Sequence, residues 1–148
     1  MSILNPAVFL NAYAQSLNNQ DAVQAASFFM LPTVIMSDHL RRVVNEQEKL
    51  EQLLGTFIGK LKAGGISQFK PMINQTMRLS DTLLFTNIRW QLCDENGLSC
   101  ISCAASYTMQ EMPNEQLKII IAVIDDDKKQ LEHIFPVSQG LLWKRGAG

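Results

Sequence analysis

The hydrophobic pattern changes period near Gly64-Gly65. Before that point apolar residues recur at helical spacing, and after it they fall in strand-like runs. Asn5-Pro6 opens the first helix, with Asn at the N-cap and Pro at the first helical position. Phe9, Ala12, Tyr13, Ser16 and Leu17 then share one face, and Asn18-Asn19-Gln20 ends the element. Asp21 caps a shorter helix, Ala22 to Phe29, which Pro32 stops. Thr33 to Met36 and Arg41 to Val44 read as two short strands joined by a turn at Ser37-Asp38-His39. Asn45-Glu-Gln-Glu48 resembles a capping box. The helix that follows places Leu50, Leu53, Leu54, Phe57, Ile58 and Leu61 on one stripe, and Gly64-Gly65 closes it.

The second half predicts strands over Phe69 to Leu79, Thr82 to Cys93, Leu98 to Met112 and Leu117 to Ile124, with a short one over Leu131 to Val137. Turns fall at Ser80-Asp81, at Asp94-Glu-Asn-Gly97 and at Pro113-Asn114. Asp125 to Lys129 reads as a solvated turn rather than a cation site, and the Gly-Ala-Gly end as frayed. Helices followed by a meander of strands indicate the α+β class. The 148 residues suit a single domain over 1–148, with no repeat or linker.

One strand changes this picture. Leu117-Lys-Ile-Ile-Ile-Ala-Val-Ile124 is apolar on both faces apart from Lys118. Strands joined by hairpins imply an antiparallel sheet, which normally leaves one face to water and alternates apolar with polar. Helices can cover one face here, and a second copy of the chain is the economical cover for the other. The expectation is a homodimer through the outer sheet face. Along Thr82 to Cys93 the residues Leu84, Thr86, Ile88, Trp90 and Leu92 form the more apolar face, assigned to the core. Asn87, Arg89 and Gln91 then belong to the outer one.

Composition adds bounds. Charged residues make up 18% of the chain, a low share that fits a partly covered surface. A net charge of −1 provides no basic field for nucleic acid. No apolar run approaches the roughly 18 residues of a membrane span. Met-Ser-Ile-Leu-Asn-Pro lacks the basic start of a signal peptide. These features, with an odd count of three cysteines, predict a cytoplasmic protein with free thiols. Cys100-Ile-Ser-Cys103 is not read as a metal or redox motif, because residues three apart on a strand face opposite ways. No metal site and no cofactor are expected, and neither a G-x-S-x-G nor an H-E-x-x-H motif is present.

The run Phe9-x-x-x-Tyr13-x-x-x-Leu17-Asn18-x-x-Asp21, then Phe28-Phe29, then Pro32-Thr-Val34, resembles the nuclear transport factor 2-like superfamily. That superfamily includes ketosteroid isomerases, SnoaL-like cyclases and many uncharacterised members. The long strand around Trp90, the Asn96-Gly97 turn and Tyr107 are similar to it as well. The resemblance spans nearly the whole chain, through element order and spacing. It implies a cone: a strongly bent sheet wrapped around three helices, with a pocket at the open end and dimerisation through the sheet. Function varies widely on this fold.

The resemblance puts Tyr13 where ketosteroid isomerases carry an oxyanion-hole tyrosine, and Asp38 near their base. No aspartate in the long strands supplies a second oxyanion donor. Read from the residues alone, Tyr13 is a core tyrosine and Asp38 a turn residue. His39 and His133 are the two histidines. The expected cone lining is Tyr13, Leu54, Phe57, Trp90, Tyr107 and Met109, apolar and without paired carboxylates. That favours a dimeric domain binding a small apolar or amphipathic molecule without catalysis. The alternative is a SnoaL-like or isomerase-like enzyme moving a proton with Tyr13 and Asp38, His39 or another histidine.

Overall fold

The computed structural model describes residues 5–37, 41–98 and 100–124. Three helices, α1 (Pro6–Asn18), α2 (Ala22–Ala26) and α3 (Gln47–Ala63), lie against six strands. The strands are β1 (Phe29–Met36), β2 (Arg41–Val44), β3 (Gln68–Arg78), β4 (Leu83–Cys93), β5 (Cys100–Glu111) and β6 (Leu117–Ile124). They form one curved sheet in the order β2-β1-β6-β5-β4-β3. The fold is α+β, as the pattern predicts. Every neighbouring pair is antiparallel except β1 beside β6, which is parallel. Irregular registers interrupt β1, β3 and the β5–β6 ladder, and such bulges bend a sheet.

Local chemistry sets the helix ends. The Asn5 side chain accepts from the N–H groups of Ala7 and Val8, and the Asp21 side chain from Gln24. Asn18 does more than end α1: its side-chain oxygen accepts from the Phe69 N–H at 2.6 Å, tying the helix to β3. The capping box at Asn45 does not form. Glu46 is the N-cap of α3, and its side chain makes no capping hydrogen bond. The second helix is shorter than its pattern suggests. It stops at Ala26 and the chain is already extended at Phe29, where β6 supplies a ladder partner and the Ile119 N–H bonds the Phe28 carbonyl. Pro32 sits inside β1 after a cis peptide bond, rather than after a helix.

The core lies between the helices and the inner sheet face. Leu10, Leu50, Leu61, Ile88, Met109 and Ile119 are fully buried there. On β4 the inner residues are Leu84, Thr86, Ile88, Trp90 and Leu92, as the pattern indicates. On β6, Leu117, Ile119 and Ala122 are buried, whereas Ile121 is half-buried and Val123 exposed on the outer face.

The cysteines correct the expectation of three free thiols. Cys93 and Cys100 face each other across the β4–β5 ladder and form a disulfide. Cys103 takes no part in the bridge and is a buried thiol on the inner face. The divergence of Cys100 and Cys103 holds; the partner is the cysteine across the hairpin. No described helix is long and apolar enough to cross a membrane. The disulfide removes the reduced-thiol argument for a cytoplasmic location.

Candidate functional site

The helices and the inner sheet face enclose a cavity of about 450 Å³. That is within the roughly 300–1,000 Å³ usual for small-molecule sites. Its deep walls come from distant elements: Tyr13 on α1, Leu54 and Phe57 on α3, Phe69 on β3, Trp90 on β4 and Tyr107 on β5. Exposed residues mark its rim, with Arg42 on β2 and Lys49, Gln52 and Thr56 on α3.

Sequence order explains each placement. Tyr13 lies on the buried stripe of α1 and packs edge-to-face on Phe28, Phe29 and Tyr107. Trp90 and Tyr107 point inward because their strands alternate faces. The Trp90 ring N–H donates to the Tyr107 hydroxyl at 2.8 Å. Both phenols are held neutral. Burial raises Tyr13 above the ordinary tyrosine range, and burial, then the neighbouring Tyr13, raises Tyr107.

Tyr13 is 5% exposed, and its hydroxyl makes no hydrogen bond among the described residues. It is not sealed in the core, since it lines the cavity. Among the described residues no protein group takes up the donor and acceptor of this hydroxyl.

Of the six lining residues expected from sequence, five meet at this cavity: Tyr13, Leu54, Phe57, Trp90 and Tyr107. Met109 does not line it. It is fully buried on β5, two residues beyond Tyr107, between Leu84 and Ile119 of the neighbouring strands. Arg42, Lys49 and Cys103 line the cavity and were missed. Inward alternation on β5 could have found Cys103; nothing local signals that β2 and α3 share a rim. Asp38, His39 and His133 lie outside the described residues, as do the Asp125 to Lys129 turn and the Leu131 to Val137 strand. Among the described residues no cluster of three His, Cys, Asp or Glu side chains is placed to hold a metal ion.

The family model described as "NTF2-like protein (DUF6841)" matches residues 7–127. The chain belongs to this family. Solved structures of the same fold include a domain of unknown function with a cystatin-like fold from Nostoc punctiforme. It is 8% identical, covers 84% of this chain and 78% of its own, and has a TM-score of 0.65. A ketosteroid isomerase-like protein from Erwinia carotovora atroseptica is 10% identical over 80% of this chain and 90% of that one, with a TM-score of 0.59. A Catenulispora acidiphila protein in complex with S-DNPA is 12% identical over 84% and 92%, with a TM-score of 0.62. At these identities the likeness to the solved structures shows the fold alone. No curated protein matches the sequence.

Proposed function

We propose that this NTF2-like chain is a non-catalytic homodimeric domain that binds a small apolar or amphipathic molecule in the cavity. The observation that carries the reading is a cavity of about 450 Å³ with apolar deep walls, into which Tyr13 brings a hydroxyl that makes no hydrogen bond among the described residues. A ligand oxygen that reached this hydroxyl would give it a hydrogen-bond partner. The Catenulispora neighbour, a protein of the same fold, was solved in complex with S-DNPA. The described lining residues include no carboxylate or imidazole, and the bases the alternative would use, Asp38 and His39, lie outside the described residues. The isomerase-like alternative requires a base within hydrogen-bond reach of the substrate. The phenol of Tyr13, held neutral by burial, supplies a donor rather than a base.

The dimer reading rests on the outer sheet face. Val34, Val43, Ile121 and Val123 share it across β1, β2 and β6 by register. Val43 is 65% exposed and Val123 37%. A contiguous apolar patch of this kind favours a covering partner.

Titration with the neutral dye phenylnaphthylamine tests the ligand reading. Saturable dye emission at one site per chain is expected. Tyr13→Phe, or Ala122→Leu, which adds bulk to the cavity wall, should displace or weaken binding of a copurified ligand or of the dye. A folded protein with no saturable dye binding and no ligand released on denaturation would overturn the reading.

A further inference from the structure

Among the described residues, the charge at the cavity rim is positive. Its charged lining residues are Arg42 and Lys49, with no Asp or Glu among the described lining. They come from different elements, β2 and the first turn of α3. Both also line a second hollow of about 360 Å³, with Leu53 shared and Asn45 beside them. The two spaces therefore adjoin along one edge: a deep apolar chamber and a shallower cationic one.

We propose that the cavity takes an amphipathic anion, with its apolar body in the deep chamber and its carboxylate between Arg42 and Lys49. This rests on the ligand-binding reading above and names the class of ligand. The deep walls, including Phe57, Phe69 and Trp90, gain by excluding water from an apolar body. The carboxylate stays near solvent, so its desolvation is small, and it meets two cations on one side.

The existing partners of those cations do not prevent this. Lys49 pairs with Glu46 at 3.3 Å, but both side chains are more than half exposed, and such pairs are weak and exchangeable. Arg42 also engages another group of the chain, and a guanidinium has five donors, enough to serve more than one acceptor. A neutral ligand would gain at most a hydrogen bond from this edge and no charge attraction, and a cationic one would be repelled by it.

The test uses three amphiphiles of one chain length, each below its micelle concentration: decanoate, decanol and decyltrimethylammonium. Affinities are measured by titration calorimetry on the full chain. Decanoate is expected to bind at least about tenfold more tightly than decanol, the ratio a single charge-assisted contact gives. Lys49→Gln with Arg42→Gln should remove most of that advantage and lower decanol affinity far less than decanoate affinity. Lys62→Gln, at the far end of α3, should leave both unchanged. Rising salt should weaken decanoate alone.

Equal binding of decanoate and decanol, with no effect of the double substitution, would overturn the anion proposal while the ligand-binding reading stood. Preference for the ammonium compound would overturn it too. No binding of any of the three, together with no dye binding, would remove the ligand-binding reading and this proposal with it.

Discussion

The Trp90 ring N–H is held at 2.8 Å by the hydroxyl of Tyr107, a residue on the neighbouring strand. They are not cross-strand partners: Trp90 sits opposite Cys103, and Tyr107 opposite Thr86. The two large side chains reach along the inner face to meet, and both are almost fully buried. Tyr107→Phe would leave a buried indole N–H without its acceptor. Stability should fall by about 1–3 kcal/mol, measured by urea denaturation. Tyr13→Phe removes a hydroxyl with no described protein partner and should change stability by under about 0.5 kcal/mol. Equal losses in the two variants would show that the phenols do not differ in this way.

The chain has two tyrosines, and both are buried and held neutral. Below about pH 10 the folded and unfolded states both keep these protons, so tyrosine titration does not change stability. Above it the unfolded chain loses protons while the fold keeps them, because the folded values are raised. Stability should then fall with pH, by up to about 1.4 kcal/mol per unit for each tyrosine. In an ultraviolet titration both phenolates should appear together, with unfolding. Phenolate absorbance rising near pH 10 in protein that circular dichroism shows still folded would contradict the burial.

Thiol counting under denaturing, non-reducing conditions should find one reactive thiol, that of Cys103, from the three cysteines. The Cys93–Cys100 bridge closes a short loop, with a sequence separation of 7. Replacing both by Ala should cost about 2–3 kcal/mol on loop-entropy grounds. A count of three in protein purified without reductant would show that the bridge does not form.

Ile121 lies opposite Thr108 and beside Val34, on the outer face. If that face joins two copies, Ile121→Asp buries unpaired charge in the interface and should give monomers in sedimentation velocity at micromolar concentration. Far-ultraviolet circular dichroism should stay unchanged, since Ile121 is only half-buried within one chain. A monomer before any substitution would end the dimer reading.

Several features were legible in the residues because they depend on near neighbours. The Asn5 and Asp21 caps, the stripe of α3 and the inner face of β4 follow from hydrogen-bond reach and from periods of 3.6 and 2. Five expected lining residues meet at the cavity for the same reason: each lies on the inward phase of its own element. Other features needed the packed sheet. With a return strand starting at Leu98, Cys93 has Leu98 opposite it; the register that places Cys100 there is set by the whole β4–β5 ladder. The early end of α2 depends on β6, some 90 residues on, supplying the parallel partner of β1. Met109 has the right phase on its strand, but its depth between Leu84 and Ile119 takes it away from the cavity. Arg42 and Lys49 flank the short connection from β2 to α3, but that this connection borders the cavity is decided by how α3 packs over the inner sheet face. Period and capping are short-range and can be read along the chain, whereas register and depth are set by which strands pair.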